Sequence, residues 1–236
     1  MTQLRTLLLI CGICLASIGV PHPSGFHQQA AADEPTNSLL YVPVVTSAYC
    51  GAFYDTFEDP AVGWFSGTVG GVRAEVMAGE YRLTFAESGL VWVVAGPMCG
   101  QRAYRSAVDA RWAGTPGNFI GLLFEFEENP ARAYLFAVNT DDRLWLVFEV
   151  RDNALNVLIP PTGNNAVLPG EAFNRLAVER VSDDITLSVN GVAVGQLTGA
   201  GPAALPVLAG VAAASYTTQQ TAEARFDNFL FEPIRE

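Results

Sequence analysis

The sequence predicts an all-β protein, a sandwich or barrel of antiparallel strands. Two observations carry this prediction. Short runs of Val, Leu, Phe, Tyr and Trp recur along the chain, and Gly, Pro, Asn or Asp separates them at intervals of roughly 8–12 residues. No segment shows the apolar period of about 3.6 residues that marks an amphipathic helix. With 236 residues, 50% of them hydrophobic, the chain is long enough for one such domain with a substantial core.

The individual strands follow from the apolar runs in chain order. Residues 39–45 are apolar but include Pro43, which favours an extended edge segment at best. The strongest local signal is a hairpin, because residues 185–189 alternate between apolar and polar and Asn190-Gly191 then tolerates the positive φ of a type I′ turn. The predicted strands cover residues 81–85, 90–95, 104–112, 119–127, 134–139, 143–151, 174–181, 185–189, 192–197, 207–213 and 222–231.

Several of these strands have one apolar side and one charged side. Counting alternate positions separates the two sides, because successive side chains of a strand point to opposite faces. In the strand 143–151 the predicted core side carries Leu144, Leu146, Phe148 and Val150. If the strands share one sheet, that sheet presents a single polar face carrying Arg105, Arg111, Glu125, Trp145, Glu149 and Arg151.

The N-terminal region has the pattern of an export signal. Arg5 precedes an apolar run over residues 7–20, which is shorter than the ~20 residues of a membrane span. The triple alanine ending at Ala32 supplies small residues for cleavage, so we expect residues 1–32 to be a signal peptide; an uncleaved anchor is the alternative. A secreted or cell-envelope protein without a membrane span would follow, with a leader over 33–52 and one domain over 53–236.

Composition excludes several classes of function. The net charge is −11 and all 13 basic residues are arginine. Binding a nucleic-acid phosphate backbone requires clustered Lys and Arg side chains, so no nucleic-acid partner is predicted. His22 and His27 lie in the predicted signal peptide, which leaves the mature chain without His-based triads, His-ligated metals or Schiff-base lysines. Cys50 and Cys99 then form an even pair and predict a disulfide, with reactive thiols as the weaker alternative.

Several short stretches follow one another in a characteristic order: FEDPAVGW at 57–64, GEYRL at 79–83, GLLF at 121–124, YLF at 134–136, NRLAVE at 174–179, ITLSVNG at 185–191 and RFDNF at 225–229. This set resembles the concanavalin A-like lectin/glucanase superfamily, and in particular its laminin G-like and sugar-hydrolase-related bacterial domains. The resemblance spans Phe53 to Glu232. It implies a jelly-roll sandwich of two antiparallel sheets whose first and last strands are neighbours, with sugars usually bound on a concave sheet face.

Paired carboxylates are the first candidate site. Glu125 and Glu127 are two residues apart on one predicted strand and therefore share a face. The resemblance to laminarinase-type glycosidases implies three acids at alternate positions, with the nucleophile and the general acid about 5 Å apart. Here the third position is Asn129, directly before Pro130, and the middle acid is Glu where Asp is usual. We therefore expect solvated or arginine-paired glutamates, and assign no catalytic residue.

The polar face is the second candidate site. Sugars are held by aromatic rings that stack on their apolar C–H faces and by arginine and carboxylate groups that bind hydroxyls. The predicted ligand-binding residues are Arg111, Glu125, Trp145, Glu149 and Arg151. The alternative is cross-strand ion pairing under a covering loop, with Trp145 as ordinary packing.

A structural calcium ion is the third candidate. Asp227 resembles the aspartate that jelly-roll carbohydrate-binding modules place on their last strand to hold Ca²⁺ together with backbone carbonyls. Asp55, Glu58 or Asp59 would add hard oxygen ligands if the terminal strands are adjacent. The alternative is that Asp227 and Asn228 mark a bulge in the closing strand.

The sequence therefore favours an exported, non-catalytic jelly-roll domain that binds carbohydrate or another extracellular or cell-envelope surface. Two alternatives stay open. One is a glycoside hydrolase-like enzyme acting on glucans or oligosaccharides, and the other is a structural or adhesive envelope protein without a small ligand.

Overall fold

A computed structural model describes residues 38–42, 51–59, 64–86, 88–97, 103–114, 119–128, 131–151, 154–199, 208–215 and 222–234. This part of the chain is built from strands, and it contains no helix long and apolar enough to cross a membrane. The strands are β1 (Ser38–Val42), β2 (Phe53–Asp55), β3 (Gly67–Val69), β4 (Val72–Met77), β5 (Glu80–Phe85), β6 (Gly89–Pro97), β7 (Ala103–Gly114), β8 (Phe119–Glu128), β9 (Ala131–Asn139), β10 (Leu144–Arg151), β11 (Ala154–Gly163), β12 (Asn174–Val181), β13 (Asp184–Val189), β14 (Val192–Thr198), β15 (Leu208–Ser215) and β16 (Ala222–Pro233).

The strands form two sheets that pack face to face. The seven-stranded sheet has the order β1-β6-β15-β8-β9-β10-β11. The nine-stranded sheet has the order β14-β13-β12-β7-β16-β5-β4-β3, with β2 pairing to β16. Apart from the parallel pair β1–β6, the described strand pairs are antiparallel. This architecture confirms the predicted all-β jelly-roll sandwich.

The first and last strands of the predicted domain are neighbours, as the superfamily resemblance implies. β2 pairs with β16 through Asp55–Phe229, Tyr54–Leu230 and Phe53–Phe231. The long strand β16 also pairs with β5 and with β7, so it joins both halves of the nine-stranded sheet. Tyr54 and Asp227 are thereby brought onto adjacent strands although they are far apart in the chain.

Local turn chemistry explains the predicted hairpin. β13 and β14 pair directly, and the two turn residues Asn190 and Gly191 have φ of 51° and 78°. Both values are positive, as a type I′ turn requires. β2, β3, β4 and β11 were not among the predicted strands. β11 contains Pro160 and Pro161, which a strand tolerates at a sheet edge because no neighbour there needs the missing N–H group.

Large side chains fill the space between the sheets. Trp112, Tyr81, Tyr104, Phe124 and Phe226 are all at most 1% exposed and belong to this inter-sheet core. Side chains of this size bury roughly 150–250 Å² each and dominate the stability of a core.

The seven-stranded sheet is apolar on its outer side as well. Leu146, Phe148 and Val150 of β10 lie in a second apolar cluster, on the side away from the partner sheet, whereas Trp145 and Val147 lie in the inter-sheet core. The core side predicted for residues 143–151 is therefore wrong. Alternation separates the two sides of a strand, but when both sides are buried it does not tell which one faces the other sheet.

Candidate functional site

The structure places the five predicted ligand-binding residues on two different sheets. Arg111 lies on β7 of the nine-stranded sheet. Its chain neighbours Ala110 and Trp112 belong to the inter-sheet core, so the Arg111 side chain points to the opposite, outer face of the sheet. Glu125, Trp145, Glu149 and Arg151 lie on β8 and β10 of the seven-stranded sheet. This corrects the expectation of one shared polar face, which required the strands to belong to the same sheet.

Trp145 is packed as a core residue. Its side chain is 4% exposed and meets the ring of Phe136 edge to face. The indole also lies directly over Gly195 of β14, where an added Cβ would stand 2.3 Å from Trp145 Cη2. The contact therefore joins the two sheets, and the ring offers no exposed surface on which a sugar can stack.

A β-bulge turns Glu125 away from the position that simple alternation predicts. β8 pairs with β9 through Phe124–Tyr134 and next through Glu127–Arg132, so β8 carries one extra residue at this point. Glu125 itself has a φ of 53°, a left-handed conformation that is uncommon for a residue with a side chain. The bulge aims the Glu125 carboxylate into the space between the sheets.

The Glu125 carboxylate is fully buried and is bonded to the opposite sheet. It accepts a hydrogen bond of 2.5 Å from the Tyr104 hydroxyl and forms an ion pair with the guanidinium of Arg180. Burial raises the pKa of Glu125, while the hydrogen bonds from Tyr104 and Arg180 act in the opposite direction. A carboxylate enclosed and occupied in this way ties the sheets together and is not presented to a substrate.

A second charged group adjoins Glu125 at the same end of the sandwich. Glu149, 9% exposed, accepts bonds of 3.0 Å from Arg132 Nε and 2.9 Å from Arg151 Nη2. Arg132 also donates to the Tyr134 hydroxyl. Burial raises the pKa of Tyr134, and the charges of Arg132, Glu149, Arg151 and Glu125 all act on it. Three of the five predicted residues, Glu125, Glu149 and Arg151, therefore lie around Tyr134, and Glu125 is bonded to Tyr104 and Arg180 while Glu149 is bonded to Arg132 and Arg151.

The outer face of the nine-stranded sheet carries a different polar group, which we call the tyrosine row. Tyr54 is 58% exposed, and its hydroxyl donates to Asn228 Oδ1 at 2.7 Å. Asn228 Nδ2 donates to Asp109 Oδ2 at 2.9 Å, and Arg175 Nη1 donates to the Asn228 carbonyl at 2.7 Å and lies 3.3 Å from Asp109. These four residues connect β2, β16, β7 and β12 across an open sheet face.

A second row on the same face consists of Arg82, Arg225 and Arg111, and we call it the arginine row. Arg225 lies directly opposite Arg82 on one side and directly opposite Arg111 on the other. Glu80 is bonded to all three guanidinium groups, at 3.2 Å, 3.2 Å and 2.6 Å respectively. The guanidinium of Arg111 lies 4.6 Å from the ring centre of Phe173, which is 36% exposed.

Asp227, the predicted calcium ligand, lies at a bulge in the closing strand. The register of β16 against β7 shifts between Asp227 and Leu230, and Asn228 has a φ of 51°. Burial raises the pKa of Asp227, and the charges of Asp109, Glu80 and Glu58 raise it further.

Of the expected partners of Asp227, Asp55 points to the other side of the sheet. It accepts hydrogen bonds of 2.7 Å from Trp64 Nε1 and from the Phe57 amide, both in the core. Glu58 is the expected partner whose charge acts on Asp227. Among the described residues no group of three or more acidic, His or Cys side chains is placed to hold a metal ion. Calcium binding here stays a prediction, and it would depend on Asp227, Glu58 and backbone oxygens.

Sequence reasoning missed most of the residues on this outer face. Alternation does assign the outward side of β7 and β12 correctly, but it gives no cross-strand register. Only the register brings together Tyr54, Glu80, Arg82, Arg175 and Arg225.

Other predictions concern segments outside the described residues. These are the signal peptide over residues 1–32, the Cys50–Cys99 disulfide, and Asn129 at the third position of the acid pattern.

The fold has clear relatives among solved structures. A prokaryotic β-1,3-1,4-glucanase (lichenase) derived from a mouse hindgut metagenome is similar with a TM-score of 0.54 and 15% identity, over 78% of this chain and 100% of that one. A Bacillus licheniformis β-glucanase is similar with a TM-score of 0.53 and 15% identity, over 78% and 99%. A native glycosidic hydrolase is similar with a TM-score of 0.59 and 12% identity, over 80% and 99%.

These similarities show that the chain has a jelly-roll sandwich fold, as the sequence motifs suggested. No protein-family model and no curated protein sequence matches this chain. At identities of 12–15% the similarity concerns the fold, and the function has to be argued from the sites.

Proposed function

We propose that this protein is an exported, non-catalytic jelly-roll domain that binds carbohydrate, and that it does so through the outer face of the nine-stranded sheet. The observation that carries the proposal is the tyrosine row. An aromatic side chain that is 58% exposed is connected by hydrogen bonds through Asn228 to Asp109 and Arg175 on the outer face of the sheet.

The chemistry of this row suits a sugar. A pyranose ring offers apolar C–H faces, which stack on aromatic rings, and hydroxyl groups, which both donate and accept hydrogen bonds. Tyr54 supplies an exposed ring, Asn228 supplies an amide, and Asp109 and Arg175 supply charged partners for hydroxyls. The four side chains hold each other in place, so little conformational entropy is lost when a ligand binds.

Two further observations support carbohydrate as the ligand class and binding as the activity. The structures with the same fold include a lichenase, a β-glucanase and a glycosidic hydrolase. A retaining mechanism, however, needs two accessible carboxyl groups about 5–5.5 Å apart. Glu125 is fully buried and Glu149 is 9% exposed, and both are ion-paired to arginine.

Glycan-array binding by the full mature chain tests the proposal. We expect Tyr54→Ala to weaken binding by about tenfold, because it removes an exposed stacking surface and a hydrogen-bond donor. Val157→Ala is a matched control, because Val157 is 55% exposed but lies on β11 of the other sheet.

Three outcomes would contradict the proposal. If the Tyr54→Ala variant binds glycans as tightly as wild type does, the tyrosine row is not the binding site. Absence of binding to every glycan would leave a structural or adhesive envelope protein. Hydrolysis of a glucan that is lost in a folded Glu125→Gln variant would instead show an enzyme. Export is tested separately, since N-terminal sequencing of the protein from the extracellular or envelope fraction should begin at Asp33.

A further inference from the structure

We infer that the glycan bound on the outer face is acidic, carrying carboxylate or sulfate groups, and that the arginine row of Arg82, Arg225 and Arg111 binds these groups. This inference rests on the proposed function, because it names the chemical class of ligand for the same sheet face. Its evidence is separate, since it comes from the register of three arginines and not from the tyrosine row.

The register is unfavourable for a merely structural surface. Like charges directly opposite each other on neighbouring strands destabilise a sheet, whereas opposite charges at the same positions stabilise it. Here Arg82, Arg225 and Arg111 occupy three directly opposed positions on β5, β16 and β7. The sheet therefore holds three positive charges side by side, and a bound anion would relieve the repulsion between them.

The carboxylates beside the row do not match its positive charge. Glu80 contacts a nitrogen of each of the three arginines, and Glu223 pairs with Arg225. Glu75, directly opposite Arg82, pairs with Arg73, so three carboxylates serve four guanidinium groups, each of which has five N–H donors. The Arg111 and Arg225 side chains are 23% and 24% exposed, so N–H groups remain available at the surface.

The row also has the shape of a polymer site. Neighbouring strands are about 4.8 Å apart, so the three arginines span about 10 Å across the sheet. Phe173, 36% exposed, lies beneath the Arg111 guanidinium at one end and adds an aromatic surface. On the same face Asp109 lies directly opposite Asp227, so these two acidic positions form a separate row that is parallel to the arginine row and two residues further along the strands. An acidic chain that runs across the strands would meet the arginines and avoid these carboxylates.

Matched pairs of polysaccharides separate charge from sugar identity. Dextran sulfate against dextran isolates the sulfate group, and polygalacturonate against its methyl ester isolates the carboxylate. We expect the full mature chain to bind at least one acidic member at least about tenfold more tightly than its neutral partner, and added salt to weaken this binding.

Substitutions then locate the site. Arg111→Gln and Arg225→Gln should each weaken binding of the acidic polymer by about tenfold. Glu80→Gln should strengthen it, because the carboxylate that competes with the ligand is removed; a purely structural role for Glu80 would not increase affinity. Arg151→Gln is the control for net charge, because the Arg151 side chain is 52% exposed and lies on β10 of the other sheet. Melting curves identify any variant that fails to fold.

The outcomes separate this inference from the proposed function. Binding of neutral and acidic partners with equal affinity, weakened by Tyr54→Ala, would overturn the acidic ligand and leave carbohydrate binding intact. Binding to no polysaccharide would overturn both. The arginine row would be overturned as a glycan site if Arg111→Gln and Arg225→Gln bind the acidic polymer as tightly as Arg151→Gln does. Tighter binding to single-stranded DNA than to either acidic polysaccharide would overturn it as well.

Discussion

Glu125 and Arg180 form a buried ion pair that joins the two sheets of the sandwich. Glu125 is on β8 of the seven-stranded sheet and Arg180 is on β12 of the nine-stranded sheet, and their side chains are 0% and 8% exposed. Arg180 Nε also donates to the Ser182 carbonyl at 2.8 Å, so the guanidinium is held on two sides. Buried charges are tolerated when they are paired and hydrogen-bonded, which makes each partner dependent on the other.

We expect Glu125→Gln to destabilise the protein by about 3–5 kcal/mol, because it leaves the Arg180 guanidinium buried without its counter-ion. Arg180→Met should also destabilise it. The double variant Glu125→Gln/Arg180→Met should lose less than the two single losses combined, with a coupling of about 1–3 kcal/mol. Equilibrium urea unfolding of the four proteins measures this. Losses that add within about 0.5 kcal/mol would show that the ion pair carries no coupling.

The pKa of Glu125 determines how the stability of wild type and of Arg180→Met changes with pH. Burial raises the folded-state pKa of Glu125 above its unfolded value, so the folded state binds the proton more tightly. Its contribution to stability therefore falls as pH rises through the interval between the two pKa values. In Arg180→Met the opposing effect of the guanidinium is lost, so we expect a steeper fall. A variant whose stability instead rises with pH over this interval would contradict the assignment.

The contact between Trp145 and Gly195 can be tested by adding a single methyl group at Gly195. Gly195→Ala would place a Cβ 2.3 Å from Trp145 Cη2, so the indole ring or one of the two strands must shift. We expect a loss of about 1–3 kcal/mol in unfolding free energy and altered fluorescence of the buried indole. Gly163→Ala is the control, because a Cβ there meets no atom within 4 Å. An unchanged stability of Gly195→Ala would show that Trp145 is not packed against β14.

Much of the fold was predictable because its signals are local. The Asn190-Gly191 turn depends on two adjacent residues with positive φ, and strand 119–127 is recognisable by its own alternation. β11 was missed because its two prolines argue against a strand unless its position at the sheet edge is known.

The site was less predictable because it depends on relations between distant segments. Glu125 faces the interior through one extra residue in β8, which alternation does not anticipate. Trp145 lies on a strand with two apolar sides, and the sequence does not tell which side meets the other sheet. The arginine row exists only through the register of β5, β16 and β7, and register is a property of strand pairs.

Glu80 should be important for stability because it is shared by three arginines. We expect Glu80→Gln to lower the unfolding free energy by about 1–3 kcal/mol, since the arginines then repel each other without their common carboxylate. Thermal melting in low and high salt measures this, and high salt should restore part of the loss by screening the repulsion. Glu179→Gln is the control, because Glu179 is exposed on β12 of the same sheet, away from the arginine row, and such exposed charges contribute little. Equal losses in both variants at both salt concentrations would contradict the shared role of Glu80.

Asp227 allows a test in which calcium reverses the sign of a mutation. Burial and the charges of Asp109, Glu80 and Glu58 raise its pKa, so the ionised carboxylate costs stability at neutral pH. In the presence of a chelator, Asp227→Asn should therefore melt higher than wild type at pH 7, and the difference should shrink as pH falls and the wild-type carboxyl becomes protonated.

If Asp227 binds calcium as the superfamily resemblance implies, added Ca²⁺ neutralises this excess of negative charge. The melting temperature of wild type should then rise with Ca²⁺ concentration while that of Asp227→Asn stays constant, so that wild type becomes the more stable protein. Mg²⁺ at the same concentration is the control for non-specific screening. A wild-type melting temperature that does not change with Ca²⁺ would contradict the calcium site. If Asp227→Asn melts at a lower temperature than wild type in chelator, the ionised Asp227 carboxylate does not cost stability.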